Sequence, residues 1–251
     1  MGFKPDELEK INDAIYATQG LVLVTGPTGS GKTTTLYSIL SELNDPKRNI
    51  LTAEDPIEYE LEGIGQSQMK SEINYTFAKA LRTFLRQAPE VILVGEIRDQ
   101  ETGNIAVEAA LTGHLVCSTL HTNSSVETIT RLVNMGIPNY LISSSVSLVI
   151  GQRLARKVCQ ECKVEDKNAS PKLLKQMKLP SDLKCFVGKG CKACNNSGYK
   201  GRQGIYEILK VTEELQDGIL KNLTIPEMEK VAKKEGFQSM QEAVSYTHLR
   251  A

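Results

Sequence analysis

The chain has no tryptophan and few other aromatic residues, five phenylalanines and eight tyrosines in 251 positions. It has no excess of either charge, because 30 Lys and Arg meet 30 Asp and Glu. A nucleic-acid surface draws on a basic field and on aromatic platforms, so these two deficits argue against one. Long hydrophobic runs are also missing. LVLVT at 21–25 and VILVG at 91–95 fall far short of the ~20 apolar residues that cross a bilayer. MGFKPDELEK at the start holds two lysines with no apolar stretch behind them, unlike a secretory signal, so a cytoplasmic protein is expected. Low-complexity tracts and internal repeats do not occur.

Six cysteines are present. Four fall in two C-x-x-C pairs, CQEC at 159–162 and CKAC at 191–194, which in a reducing compartment reads as metal binding rather than disulfides. Cys159, Cys162, Cys191 and Cys194 supply four thiolates and leave no open position, the pattern of structural Zn²⁺. The alternative is four reduced core thiols. Cys117, inside HLVCSTL, reads as a buried core residue.

The chain is long enough for one large α/β domain with an appendage. After an amphipathic helix over 6–18, apolar strand-like segments at 21–25, 49–53, 91–95 and 114–119 alternate with helical patterns at 32–43, 74–87 and 100–111. This alternation predicts a parallel sheet covered by helices on both faces, with ligands at the carboxyl ends of the strands. A helix pair at 124–135 and 138–149 follows, parted by Gly136 and Pro138. The character changes near 151, so the expected division is an α/β core at 1–150 and a zinc-bearing subdomain with two short helices at 151–243.

GPTGSGKT at 26–33 matches G-x-x-x-x-G-K-[ST] and sits between a strand and a helix, as a phosphate-binding loop requires. Gly26, Pro27, Thr28, Gly29, Ser30, Gly31, Lys32, Thr33 and Thr34 would enclose the phosphates of ATP. Lys32 would neutralise the β- and γ-phosphates and the Thr33 hydroxyl would ligate Mg²⁺. Three further polar sites follow strand ends. EDPIE gathers Glu54, Asp55 and Glu58, readable either as the source of a water-activating carboxylate or as a solvated acidic loop. EVILVGE ends in Glu96 in the shape of a Walker B strand, with Glu where Asp is usual. Arg98 and Asp99 read as a local ion pair. TGHLVCSTLHTN brings His114 and His121 towards one edge, and His121 suits a γ-phosphate sensor.

These four motifs, in this order and spacing, resemble those of the hexameric motors of type II secretion and type IV pilus assembly, over residues 1–243. The resemblance implies a RecA-like P-loop NTPase core with a small Cys₄ zinc subdomain. By similarity Glu58 polarises the attacking water, Glu96 is the Walker B carboxylate and His121 is the sensor. Arg82 and Arg86 match family arginines that reach the nucleotide of the same or an adjacent subunit, with ion pairing on the helix face as the alternative. It also implies a homo-hexamer, an inner-membrane platform protein as partner, peripheral association with the inner face of the membrane, and no nucleic acid. Assembly and export motors carry the cysteine set and retraction motors lack it. Rival readings are a nucleic-acid translocase of related fold and a nucleotide-gated binding module. Family members carry domains before this core, so the chain is expected to be a fragment, and VSYTHLRA at 244–251 is expected to be a non-native tail.

Overall fold

The computed structural model describes residues 2–166, 174 and 184–244. Helix α1 (Pro5–Ile15) leads into β1 (Gly20–Thr25), the phosphate loop and α2 (Lys32–Leu43). Then come β2 (Ile50–Glu54), β3 (Gly65–Gln68), α3 (Phe77–Phe84), β4 (Val91–Val94), α4 (Gln100–Leu111), β5 (Leu115–Leu120), α5 (Ser125–Asn134) and α6 (Asn139–Ser145). The chain continues through β6 (Val146–Val158), β7 (Lys163–Glu165), β8 (Phe186–Gly188), β9 (Tyr199–Lys210), α7 (Glu213–Leu220) and α8 (Ile225–Lys234).

Seven strands form one sheet in the order β3-β2-β4-β5-β1-β6-β9, parallel throughout except that β9 runs antiparallel to β6. Strands β1, β2, β4 and β5 are buried at every position, which is why they read as continuous apolar runs and not as alternating ones. Their side chains still sort by parity. Leu21, Leu23, Ile92, Val94 and Val116 join the core beneath α3, α4, α5 and α6. Val22, Val24, Val91, Leu93 and Cys117 join the opposite core beneath α1 and α2. The helix leaving β1 and the helices serving β2 and β4 therefore lie on opposite faces. That reversal opens a crevice at the carboxyl edge of the sheet.

Two expectations differ from the structure. The helix expected over 138–149 stops at Ser145, because VSLVI enters the sheet as β6; periodicity alone does not separate so short an apolar run from a buried helix segment. Strand β6 then runs without a break through residue 151, where the core was expected to end, and pairs with β9 along most of its length. Helices α7 and α8 add Leu215, Ile219, Met228 and Ala232 to the main core. The sheet and its core thus extend well past 151. Of the expected tail, residues 245–251 lie outside the described residues.

Candidate nucleotide site

Six of the nine P-loop residues, Thr28, Gly29 and 31–34, line a cleft of about 1010 Å³ at the carboxyl edge of the sheet. Gly26, Gly29 and Gly31 have φ of 149°, 76° and 88°, the region that glycine alone enters readily. Close packing adds a second reason for two of them. A Cβ on Gly26 would lie 2.4 Å from the Gln152 carbonyl oxygen, and one on Gly31 would lie 2.9 Å from Gln152 Nε2. Gly31 also begins α2, and among the described residues no side chain caps that helix, whereas Thr76, Asp99 and Ser124 cap α3, α4 and α5. The first amides of α2 are thereby left to an incoming anion. Lys32 folds back onto the loop, its Nζ donating to the carbonyls of Gly26 at 3.0 Å and Pro27 at 3.2 Å. Burial draws its ammonium below the usual lysine range; Glu96 opposes this and Arg153 adds to it.

The acidic loop divides by role. Glu54 is buried and fully engaged by the Tyr37 hydroxyl, by Thr52 Oγ1 at 2.6 Å and by Gln66 Nε2 at 3.0 Å. Burial and the bond to Glu54 push the Tyr37 phenol up to about 12. Asp55 and Glu58 line the cleft as Glu54 does but, unlike it, are exposed. The backbone N–H of Glu58 donates to Tyr37 Oη at 3.3 Å, so the phenol anchored by Glu54 holds the loop that presents Glu58. Opposite the P-loop, Glu96 pairs with Arg98, and its other oxygen lies 3.7 Å from His121 Nε2. Arg98 therefore pairs with Glu96 and not, as expected, with Asp99. Asp99 caps α4 by accepting from the Thr102 amide at 2.8 Å.

Glu58, Glu96 and His121 all line the one cleft. His114 does not join them, contrary to the expectation of a shared edge. It precedes β5 and His121 follows it, so six parallel residues carry the two to opposite edges of the sheet. His114 Nδ1 lies instead 3.0 Å from the Ala109 carbonyl oxygen. Arg82 and Arg86 do not line the cleft of this chain either. Helix α3 turns Arg82 outwards, and its exposed guanidinium pairs with Glu101 of α4 at 2.8 Å. Cleft residues that escaped sequence reasoning include Gln152 and Leu154 on β6 and Tyr206 on β9. No motif marks them, because β6 reaches the loop by pairing with β1 and β9 by returning antiparallel along β6.

Burial depresses the His121 pKa below the ordinary 6.5, the positive charge of Lys32 acts in the same direction, Glu96 opposes, and Arg98 lowers it further. The ring is therefore neutral at pH 7. Lys32→Ala removes one depressing charge, so the imidazole should titrate closer to 6.5 in that variant, as NMR of the ring protons would register. An unchanged midpoint would place His121 outside the field of Lys32.

The four cysteines form a second centre beside the end of β6. Their sulfurs lie within 4.8 Å of one another, with 3.8 Å between Cys159 and Cys191, 3.9 Å between Cys162 and Cys194, and 3.7 Å between Cys191 and Cys194. Sulfurs at the corners of a tetrahedron around Zn²⁺, each about 2.3 Å from it, stand about 3.8 Å apart, so the donor set fits that ion. Amides of Cys191 and Gly198 donate to Cys194 Sγ at 3.2 and 3.3 Å, which favours a thiolate.

The family described as "Type II/IV secretion system protein" matches residues 1–249. The chain belongs to this family. Among curated members, the "Type IV pilus assembly ATPase PilB" of Pseudomonas aeruginosa is 50% identical over 244 residues, 96% of this chain and 43% of that protein. Its namesake in Thermus thermophilus is 44% identical over 254 residues, 100% of this chain and 28% of that protein. The "Putative type II secretion system protein E" of Escherichia coli is 47% identical over 237 residues, 94% and 48% of the two. This secretion-family chain thus spans less than half the length of these relatives. Of solved structures, the Legionella pneumophila ATPase DotB is 32% identical with a TM-score of 0.64, covering 92% of this chain and 57% of its own. The pilus retraction motor PilT with bound ADP is 30% identical with a TM-score of 0.63, covering 97% and 64%.

Proposed function

We propose that this chain is the nucleotide-hydrolysing part of a motor that powers pilus or pseudopilus assembly or protein secretion, converting ATP and water to ADP and phosphate. The observation that carries this reading is one cleft holding an open, glycine-built P-loop with Lys32 on one wall and three polar groups from other strand ends, Glu58, Glu96 and His121, around it. The reading favours assembly or secretion over retraction because the relatives named for those tasks are 44 to 50% identical, against 30% for the retraction motor.

Each group has a task that its setting suits. The P-loop amides and the α2 terminus bind the phosphates, and Lys32 exchanges its two carbonyl partners for their oxygens. Thr33 and Glu96 offer hard oxygen donors of the kind Mg²⁺ takes, and would hold it against the phosphates; the ion would neutralise developing charge there. Glu58, exposed on the loop propped by Tyr37, orients the attacking water and accepts its proton. His121, neutral at pH 7, hydrogen-bonds the terminal phosphate. The four cysteines hold structural Zn²⁺. In the complete protein the chain works as a homo-hexamer on the inner face of the cell membrane, moving a platform protein, and Arg82 and Arg86 reach a neighbour's nucleotide.

Glu58→Gln tests the catalytic half of this reading. It keeps size and packing but cannot take a proton, so turnover should fall by at least about a hundredfold while calorimetry registers unchanged Mg-ATP affinity. Equal turnover in the variant would assign the water to another group, and stimulation of the parent by DNA or RNA would favour the translocase reading.

A further inference from the structure

We propose that Gln152 is a positioning residue of the nucleotide site, one that aims the Gly31 N–H at the bound phosphates. Gln152 is almost wholly enclosed, 2% exposed, and a buried amide must spend its donors and acceptor on partners. Its Nε2 donates to the Ser30 carbonyl at 2.7 Å, and its Oε1 accepts from Thr35 Oγ1 at 2.6 Å. The first bond orients the second. A carbonyl oxygen only accepts, so the end of the amide that faces Ser30 is its NH₂, and Oε1 is left to accept from Thr35, whose hydroxyl also lies 3.3 Å from the Gly31 carbonyl oxygen.

The consequence follows from peptide planarity. The Ser30 carbonyl and the Gly31 N–H belong to one planar trans unit and point in opposite directions. Holding the carbonyl against β6 therefore turns the Gly31 N–H away from β6, towards the side on which the loop encloses phosphate. Without that tether, Gly31 at φ 88° has no side chain to stop the peptide from rotating, and the amide direction would be lost among several conformers. Thr35 lies one helical turn beyond Gly31, and its own N–H bonds the Gly31 carbonyl at 3.1 Å. Gln152 thus joins the loop, the first turn of α2 and β6 into one unit. The backbone of Gln152 closes the other end, since its carbonyl oxygen packs too close to Gly26 to admit a Cβ there and accepts from Arg153 Nη1 at 3.0 Å.

This rests on the nucleotide reading above, and the test separates the two. Isothermal titration of the 251-residue chain with Mg-ADP should show binding in the parent and at least about tenfold weaker binding in Gln152→Met, which fills the same space without hydrogen bonds. Gln152→Glu should be as weak, because a carboxylate still accepts from Thr35 yet donates nothing to Ser30. The Gly31 amide resonance, which should move on Mg-ADP binding to the parent, should move much less in both. A purely structural Gln152 would lower the melting temperature and leave affinity and the Gly31 shift intact, and that pattern overturns the assignment. Should Gln152→Met fail to fold, Thr35→Val against Thr35→Ser decides: the valine should weaken binding several-fold and the serine should not, and equal affinities overturn the proposal. A parent chain that takes no Mg-ADP overturns the nucleotide reading itself.

Discussion

Alanine in place of Lys32 is expected to abolish turnover and to lower Mg-ATP affinity at least a hundredfold without unfolding the chain. The ammonium sits half-buried among the carbonyls of its own loop, and burial already pulls its pKa down, so it is poorly solvated before any ligand arrives. A phosphate charge at about 4 Å would gain roughly 4 kcal/mol from it at an effective dielectric of 20. Solvent on the open side of the cleft reduces that figure, hence the hundredfold expectation. Stability should change little, because the two bonds lost are to loop carbonyls that water can reach from the cleft. Calorimetry with Mg-ATP beside a thermal melt checks both statements. Parent-like affinity in Lys32→Ala would remove the basis for a nucleotide in this cleft.

Cys191→Ser should empty the second centre. Three thiolates and a hydroxyl hold Zn²⁺ far less tightly than four thiolates, and structural zinc sites contribute on the order of 10 kcal/mol to their modules. Elemental analysis should therefore find about one zinc per chain in the parent and close to none in the variant. The damage should stay local. Among the described residues, strands β7 and β8 pair only with each other, and the turn at 191–198 is held by bonds to the cysteines, such as the Cys159 amide to the Gly198 carbonyl at 3.0 Å. The upper part of β6 is locked between β1 and β9. Hydrogen exchange should accelerate over 159–166 and 186–199 while β1 and the P-loop keep their protection. A parent chain purified without metal, and a variant with unchanged exchange, would leave the four cysteines as ordinary thiols.

The motifs were legible because each is a local arrangement. A P-loop needs a strand, a glycine turn and a helix in succession, and 20–43 supplies all three. Helix α4 appears at its expected bounds because Asp99 caps it and Thr112 ends it. Cysteine spacing announced the four-thiol cluster because two C-x-x-C turns need only meet. Reading failed where a long-range partner decided. The run VSLVI became a strand because β1 and β9 were there to pair with it. His114 and His121 looked like neighbours in sequence, yet a six-residue strand separates them.

What the amino-acid order determined alone was the inventory: which strands are buried on both faces, which loop can bind phosphate, and which acids, histidines and thiols are available for chemistry. Tertiary structure decided their assignment. Within one acidic loop it committed Glu54 to Tyr37 and left Glu58 facing the cleft, it turned Arg82 towards Glu101, and it brought Gln152 from over a hundred residues away to brace the loop. The reason is physical. A residue's type and its near neighbours set what it can do, whereas burial and hydrogen-bond partners set what it does, and in a parallel sheet those partners arrive from strands distant in the chain.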